Sequence, residues 1–305
     1  EVDQVFILYA GKGQADGGAN NTIWPHEFWL SAYPGGSHIT LDGKKIDTYA
    51  CSSELNGQNG LSGIGTICHE FSHCLGLPDW YDVYYSGNFG MCDFSLMDMG
   101  SYLGDGMTPP NYTAWERWYS GWTEPIELTA DTTAISGMLS LTENGNTYVN
   151  YNEANRNEHY LLENRQQTGW DVNLPSHGLM VSHVDYDPTI WDYNIVNTFT
   201  KKGDDYEQQG VSNDHQRMTI FHADNEDGES LYDDYGNYNI DSEVHDLYPY
   251  NGLDSLTNRS VPAAKVYNAN TDGSHFMNLG LYRITENSDG TVSFESRPTS
   301  APSND

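Results

Sequence analysis

The pattern of apolar positions divides the chain into a mixed first part and a strand-rich remainder. Val5-Phe6-Ile7-Leu8-Tyr9-Ala10 is a short, β-prone apolar run that reads as a buried strand, and the glycine-rich residues 11–18 after it read as a loop. Residues 63–75 read as a helix that stops at Gly76, since glycine tolerates the left-handed conformation after a helix and Pro78 cannot continue one. A second helix is expected over residues 111–120, where Trp115 and Trp118 fall three apart on one face. From Thr123 the texture changes to short alternating segments at 147–151, 159–162, 179–184 and 291–294, separated by turn clusters at 143–146 and 287–290. This pattern predicts an α+β chain with a first domain over 1–122, a β-rich, sandwich-like domain over 123–297 and a tail or linker over 298–305. A long polar insert, about 201–260, is dense in Asp, Asn and Tyr. No internal repeat is visible.

Composition narrows the possible partners. The chain has 305 residues, long enough for one large domain or two medium ones. Its 13 basic residues against 44 acidic ones give a formal charge of −31, which repels phosphate backbones and anionic lipid and argues against nucleic-acid or membrane-surface binding. No apolar run approaches the roughly 18 to 20 residues that span a bilayer. The opening without Met, leading almost at once into a strand, predicts that upstream sequence has been removed. Four cysteines, Cys51, Cys68, Cys74 and Cys92, with no CxxC pair, fit disulfides in an oxidising compartment better than a zinc ribbon. A Cys68–Cys74 bridge is disfavoured, because two helical residues six apart are separated by about 9 Å along the axis and a disulfide needs Cα atoms within roughly 7 Å.

The chemistry concentrates in His69-Glu70-Phe71-Ser72-His73. Residues four apart on a helix are rotated by only about 40° from each other, so His69 and His73 project from one face and can bind one ion. Glu70 lies one step round, placed to act as general base on a zinc-bound water and to hand the proton to the leaving amine. Gly76 then ends the helix, Leu77-Pro78 turn the chain, and Asp79 lands ten residues after His69. HExxHxxGxxD thus supplies three metal ligands, His69, His73 and Asp79, and leaves a fourth position for water. Downstream, Ser95-Leu96-Met97-Asp98-Met99-Gly100 resembles the Met-turn of metzincin peptidases, with Met97 as its methionine.

The stretch from His69 through Asp79-Trp80-Tyr81-Asp82 resembles the immune inhibitor A (M6) family of metallopeptidases. Ile23-Trp24-Pro25-His26, Ala114-Trp115-Glu116-Arg117 with Gly121-Trp122, Tyr160 to Gln166, and His177-Gly178-Leu179 through His183-Val184-Asp185 are similar to family landmarks. The resemblance implies a secreted or cell-surface bacterial endopeptidase made as a zymogen, with a zincin/metzincin-like catalytic domain followed by a β-rich part. It also implies a catalytic zinc on His69, His73 and Asp79, with Glu70 as base. Protein or peptide substrates and a monomeric state are the corresponding expectations. Two rivals are a zincin specialised for glycoproteins or cell-wall peptides, and a non-catalytic binding or adhesion module with a vestigial zinc site.

Other features carry less. The remaining histidines lack helical partner spacing and read as core or surface residues, His183 being the best outsider. Ala223 to Gly228 fails the EF-hand pattern because Ala223 stands where an aspartate is needed. A structural Ca2+ of another geometry, at 223–228 or near Asp82, Asp93 and Asp98, is an expectation without a ligand set.

Overall fold

The computed structural model describes residues 4–85, 87–226 and 243–299 of the chain. The first part runs through β1 (Val5–Lys12), β2 (His26–Trp29), β3 (Ile39–Leu41), β4 (Lys44–Ile46) and β5 (Thr48–Leu55) into helix α1 (Ile64–His73), and α2 (Ala114–Tyr119) closes it. Then come β6 (Ile126–Glu127), β7 (Thr133–Met138), β8 (Tyr148–Tyr151), β9 (Glu158–Arg165) and β10 (Gly178–Asp185). Short helices α3 (Pro188–Asp192) and α4 (Asp205–Gln208), β11 (Met218–Ile220), β12 (Leu279–Glu286) and β13 (Val292–Pro298) complete the order.

Both expected helices form, with later starts or earlier ends than the apolar pattern suggests. Helix α2 begins at Ala114 rather than 111 because Thr113 and Glu116 make a reciprocal capping box, which fixes the first turn. Strand β1 extends to Lys12, past the glycine where a loop was expected, because it pairs in parallel with β5 as far as Lys12↔Leu55. The four strand segments expected after Thr123 correspond to β8, β9, β10 and β13. Pro298, expected to open the tail, is the last residue of β13 and sits opposite Leu279. Residues 300–305 of that tail, and 227–242 of the polar insert, lie outside the described residues.

Three larger sheets and the two-stranded β3–β4 hairpin organise the described residues. The first has the order β1-β5-β2, with β2 antiparallel to β5 and forming one edge. The second has the order β11-β10-β9-β8-β6, and the third β12-β13-β7. Strands β9 and β10 are buried along their whole length because the second sheet is covered on both faces. Leu161, Met180 and Val184 join one core with Leu77, Trp80, Met97 and Trp115. Tyr160, Leu162, Leu179 and Val181 join the other, with Ile135, Met138, Leu281, Val292 and Phe294 of the third sheet. The α+β class is as expected, and the second sheet is the layer between the loops that follow α1 and the third sheet.

No disulfide joins the cysteines, against the expectation from their even count. Three of the sulfurs have a polar neighbour instead. Cys51 Sγ lies 3.4 Å from His26 Nδ1, Cys74 Sγ lies 3.7 Å from the Glu70 carbonyl, and Cys92 Sγ lies 3.2 Å from the Phe89 carbonyl inside the core. Cys68 lies half-buried on α1.

Two buried charge networks cross the layers. Arg165, fully buried on β9, is paired with Glu163 at 2.9 Å and Asp171 at 2.8 Å, and it donates to the Phe94 carbonyl at 3.3 Å. Glu163 also accepts from the Ala114 amide at the start of α2. Glu158, buried at the other end of β9, accepts from His183 at 2.9 Å and from the amides of Tyr267 at 2.5 Å and Asn268 at 2.9 Å. Burial raises the Glu158 pKa, but these donors outweigh it and hold the carboxyl at about 2. Because the folded-state value lies below the unfolded one, this carboxylate contributes stability at neutral pH that is lost as pH falls towards about 2. Replacing Glu158 with Gln should therefore lower the unfolding free energy at pH 7 by an amount on the order of 3 kcal/mol. In denaturant titrations the gap to wild type should narrow as pH falls below about 4.5, the ordinary carboxyl range. A gap of unchanged size at pH 3 would contradict this.

Candidate metal centre and catalytic cleft

Helix α1 places His69 and His73 one turn apart, and the end of the helix returns the chain towards them. Gly76 takes φ +90°, the Leu77 amide donates to the Ser72 carbonyl at 3.2 Å, and the Gly76 amide donates to the His73 carbonyl at 2.9 Å. This paired closure is a Schellman cap, which reverses the chain within two residues. Asp79 is thereby brought beside both imidazoles. Its Oδ1 lies 3.1 Å from His69 Nε2 and 3.3 Å from His73 Nε2, and the three ligating atoms all lie within 4.8 Å of one another.

Both rings are held from behind. His69 Nδ1 lies 2.9 Å from the Leu96 carbonyl, and His73 Nδ1 lies 2.7 Å from the Leu77 carbonyl. A carbonyl only accepts, so each Nδ1 carries a proton, and Nε2 is the ring atom that faces Asp79. Leu77 therefore belongs both to the helix cap and to the orientation of His73. Leu96 directly precedes Met97, which is fully buried, and the Met97 carbonyl accepts from the Trp80 amide at 2.9 Å. The loop containing Met97 thus supports both sides of the cluster.

A second support was not legible in the motif. Asn194, just after α3, accepts from the Asp79 amide at 2.7 Å and donates to Asp79 Oδ2 at 2.7 Å. Asn197 donates to the Trp80 carbonyl at 2.6 Å, and Thr198 donates to Asp82 Oδ1 at 2.8 Å. These three side chains come from the strand-rich region, more than a hundred residues downstream, and fix the 79–82 stretch from the outside. Asn-Ile-Val-Asn-Thr has no signature of its own.

The residues fit a divalent cation. Asp79 Oδ1 is buried and, among the described residues, meets no hydrogen-bond partner of good geometry. A tetrahedral ion with arms of about 2.0–2.1 Å separates neighbouring ligand atoms by about 3.3 Å, close to the two contacts seen here. Two neutral imidazoles and one carboxylate are also the donor set a catalytic zinc takes while keeping a position open. Electrostatics agree with this reading. Burial raises the Asp79 pKa, but the charge on His73 with contacts from both histidines overcomes it and holds the carboxyl well below its usual range. For His73 burial lowers the pKa, yet Asp79, Glu70 and the Leu77 carbonyl together push it up to about 9. The pocket is thus built to hold positive charge. Among the described residues this is the only trio of His, Cys or carboxylate groups close enough to share an ion.

Glu70 is buried and lines the same cleft, a space of about 480 Å³ shared with Trp24, Glu27, Tyr81 and Trp191. Burial raises its pKa, with the histidines opposing and Asp79 reinforcing the rise. The other candidates have ordinary roles. His183 is a core residue hydrogen-bonded to Glu158 and stacked between Phe221 and Tyr267. The Asp98 carboxylate accepts from the amides of Met91, Cys92 and Met99, and so shapes the loop around Met97. The calcium expectation gains no ligand group among the described residues.

Comparison with known proteins agrees with this geometry. A family model described as immune inhibitor A peptidase M6, catalytic domain, matches residues 1–123. The pre-pro-metalloprotease PrtV of Vibrio cholerae serotype O1 is 30% identical over 131 residues, covering 38% of this chain and 13% of that protein. Immune inhibitor A of Bacillus thuringiensis subsp. alesti is 29% identical over 125 residues, covering 37% of this chain and 17% of that protein. The match thus spans less than a fifth of the length of either relative. No solved structure matches the chain. Residues 1–123, which contain the histidine pair and its returning aspartate and make up less than half of the chain, are thus similar to the catalytic domain of the immune inhibitor A family of M6 metallopeptidases.

Proposed function

We propose that the chain is a secreted bacterial zinc endopeptidase that hydrolyses internal bonds of proteins or peptides as a monomer. The observation that carries the reading is Asp79 Oδ1, buried and without a hydrogen bond, in contact with two imidazole nitrogens whose other faces are anchored. His69, His73 and Asp79 would hold the ion. Zinc, when bound, polarises the scissile carbonyl and acidifies a water in the cleft. Glu70 takes the proton from that water and delivers it to the leaving amine, and its buried carboxyl has the raised proton affinity this exchange needs. Asn194 keeps the other oxygen of Asp79 occupied, so that Oδ1 would be the one left for an ion.

The finer fold reading belongs to the same proposal. Met97 is the methionine of a Met-turn, and the β1-β5-β2 sheet with α1 forms the zincin-like core of a catalytic domain over 1–122. Residues 123–297 form the β-rich domain, which shares a core with the first and supplies Asn194. Strand β2 is the sheet edge on the cleft, so an extended substrate can pair with its outward backbone groups. Among the described residues no helix is long and apolar enough to cross a membrane.

Two substitutions test the reading. Glu70→Ala should keep one zinc per chain, measured by atomic absorption, while casein or peptide cleavage falls by about 10²–10⁴-fold. Undiminished cleavage would remove Glu70 as the base, and a wild-type protein that binds substrates without cutting them would point to the vestigial module. Asn194→Ala should weaken zinc affinity by about 10–100-fold in competition with a chelator. Unchanged affinity would show that Asn194 does not position the ligand.

A further inference from the structure

The catalytic cleft contains one carboxylate that the proposed mechanism does not use and the fold does not satisfy. Glu27 sits in β2 opposite Ala50 of β5, half-buried, and lines the cleft with Glu70 and His73. Its Oε1 is buried and has no hydrogen-bond partner among the described residues. A carboxylate oxygen taken from water and given no donor is costly, and native structures keep such atoms where a ligand completes them. Burial raises the Glu27 pKa and Glu70 adds to the rise, while His73 opposes it, so a donated positive charge would relieve the strain on this group.

Three further observations identify the class of donor. No Lys or Arg lines the cleft among the described residues, whereas Glu27, Glu70, Asp79 and Asp192 do. The chain carries a formal charge of −31, so its field draws cations towards the opening. Trp29, on the same face of β2 as Glu27 and about half-exposed, offers a ring on which an alkylammonium or guanidinium can rest.

We propose that Glu27 is a specificity residue that selects a substrate with lysine or arginine at one position beside the scissile bond. The inference rests on the peptidase reading above. An extended substrate paired with the outer edge of β2 places one of its side chains directly beside Glu27, with Cβ atoms about 4.5–5.5 Å apart. From there a lysine ammonium or arginine guanidinium reaches Oε1, while Trp29 covers the aliphatic stem.

The test uses the zinc-loaded chain and a neutral fluorogenic peptide in which lysine, arginine or norleucine is placed in turn at each position flanking the cleaved bond. At one position the lysine and arginine peptides should exceed the norleucine peptide in kcat/KM by about tenfold or more. In Glu27→Gln that ratio should fall close to one, and in Glu27→Lys a glutamate at the same position should become the preferred residue. Should Glu27→Gln not fold, Glu27→Asp keeps the charge but withdraws it by one methylene, and must give a smaller ratio of the same sign. A wild-type ratio near one at every position, or a ratio that survives in the variants, overturns the assignment while leaving the peptidase reading in place. No cleavage of any peptide by the zinc-loaded wild type defeats that reading itself.

Discussion

The structure depends on a concentration of polar groups at one buried point, where two imidazole nitrogens and one carboxylate oxygen meet. Asp79 Oδ1 is in contact with both Nε2 atoms yet has no hydrogen bond from either. Burying such a group without a partner costs about 1–3 kcal/mol, more when it is charged. The surroundings nevertheless enforce the arrangement. The Leu77 and Leu96 carbonyls fix the rings, Asn194 fixes the aspartate, and the Met97 carbonyl holds the neighbouring Trp80. A site this constrained is preorganised for a cation, because the cost of gathering its ligands is met by folding.

Much of the rest of the fold can be understood as support for that point. The capping box of α2 leaves Glu116 free to accept from Trp80 Nε1 at 2.7 Å and Ser95 Oγ at 2.5 Å, which ties the aspartate loop to the loop containing Met97. Buried Arg165 links the same loop, through the Phe94 carbonyl, to the central sheet. The strand-rich region is therefore part of the centre's construction, since it contributes Arg165 from below and Asn194 from the side. Such buried ionic links constrain geometry more than they add stability.

What could be read from the sequence follows the range of the physics involved. The meeting of His69, His73 and Asp79 was legible because its geometry is local: a helical i, i+4 pair and a glycine stop bring together residues ten apart. Helix α1 and its Schellman cap formed as glycine and proline chemistry dictates. Support that depends on distant chain segments was not legible, and Asn194 and Arg165 have no spacing relation to His69. Strands β2 and β5 were missed because their residues are mixed in polarity, and their pairing with β1 is what makes them strands. The β3–β4 hairpin could have been found, since Asp42 and Gly43 both take positive φ at its turn, as Asp-Gly between short strands favours. The cysteine count misled, because parity says nothing about where each sulfur packs.

The most direct test of the account is the zinc K-edge X-ray absorption spectrum of the purified chain loaded with one equivalent of zinc. The account predicts a first shell of nitrogen and oxygen only, at about 2.0–2.1 Å, with the scattering pattern of two imidazoles, and loss of one imidazole in His73→Ala. A sulfur shell at about 2.3 Å, or a spectrum unchanged by that substitution, would place the ion elsewhere and contradict it.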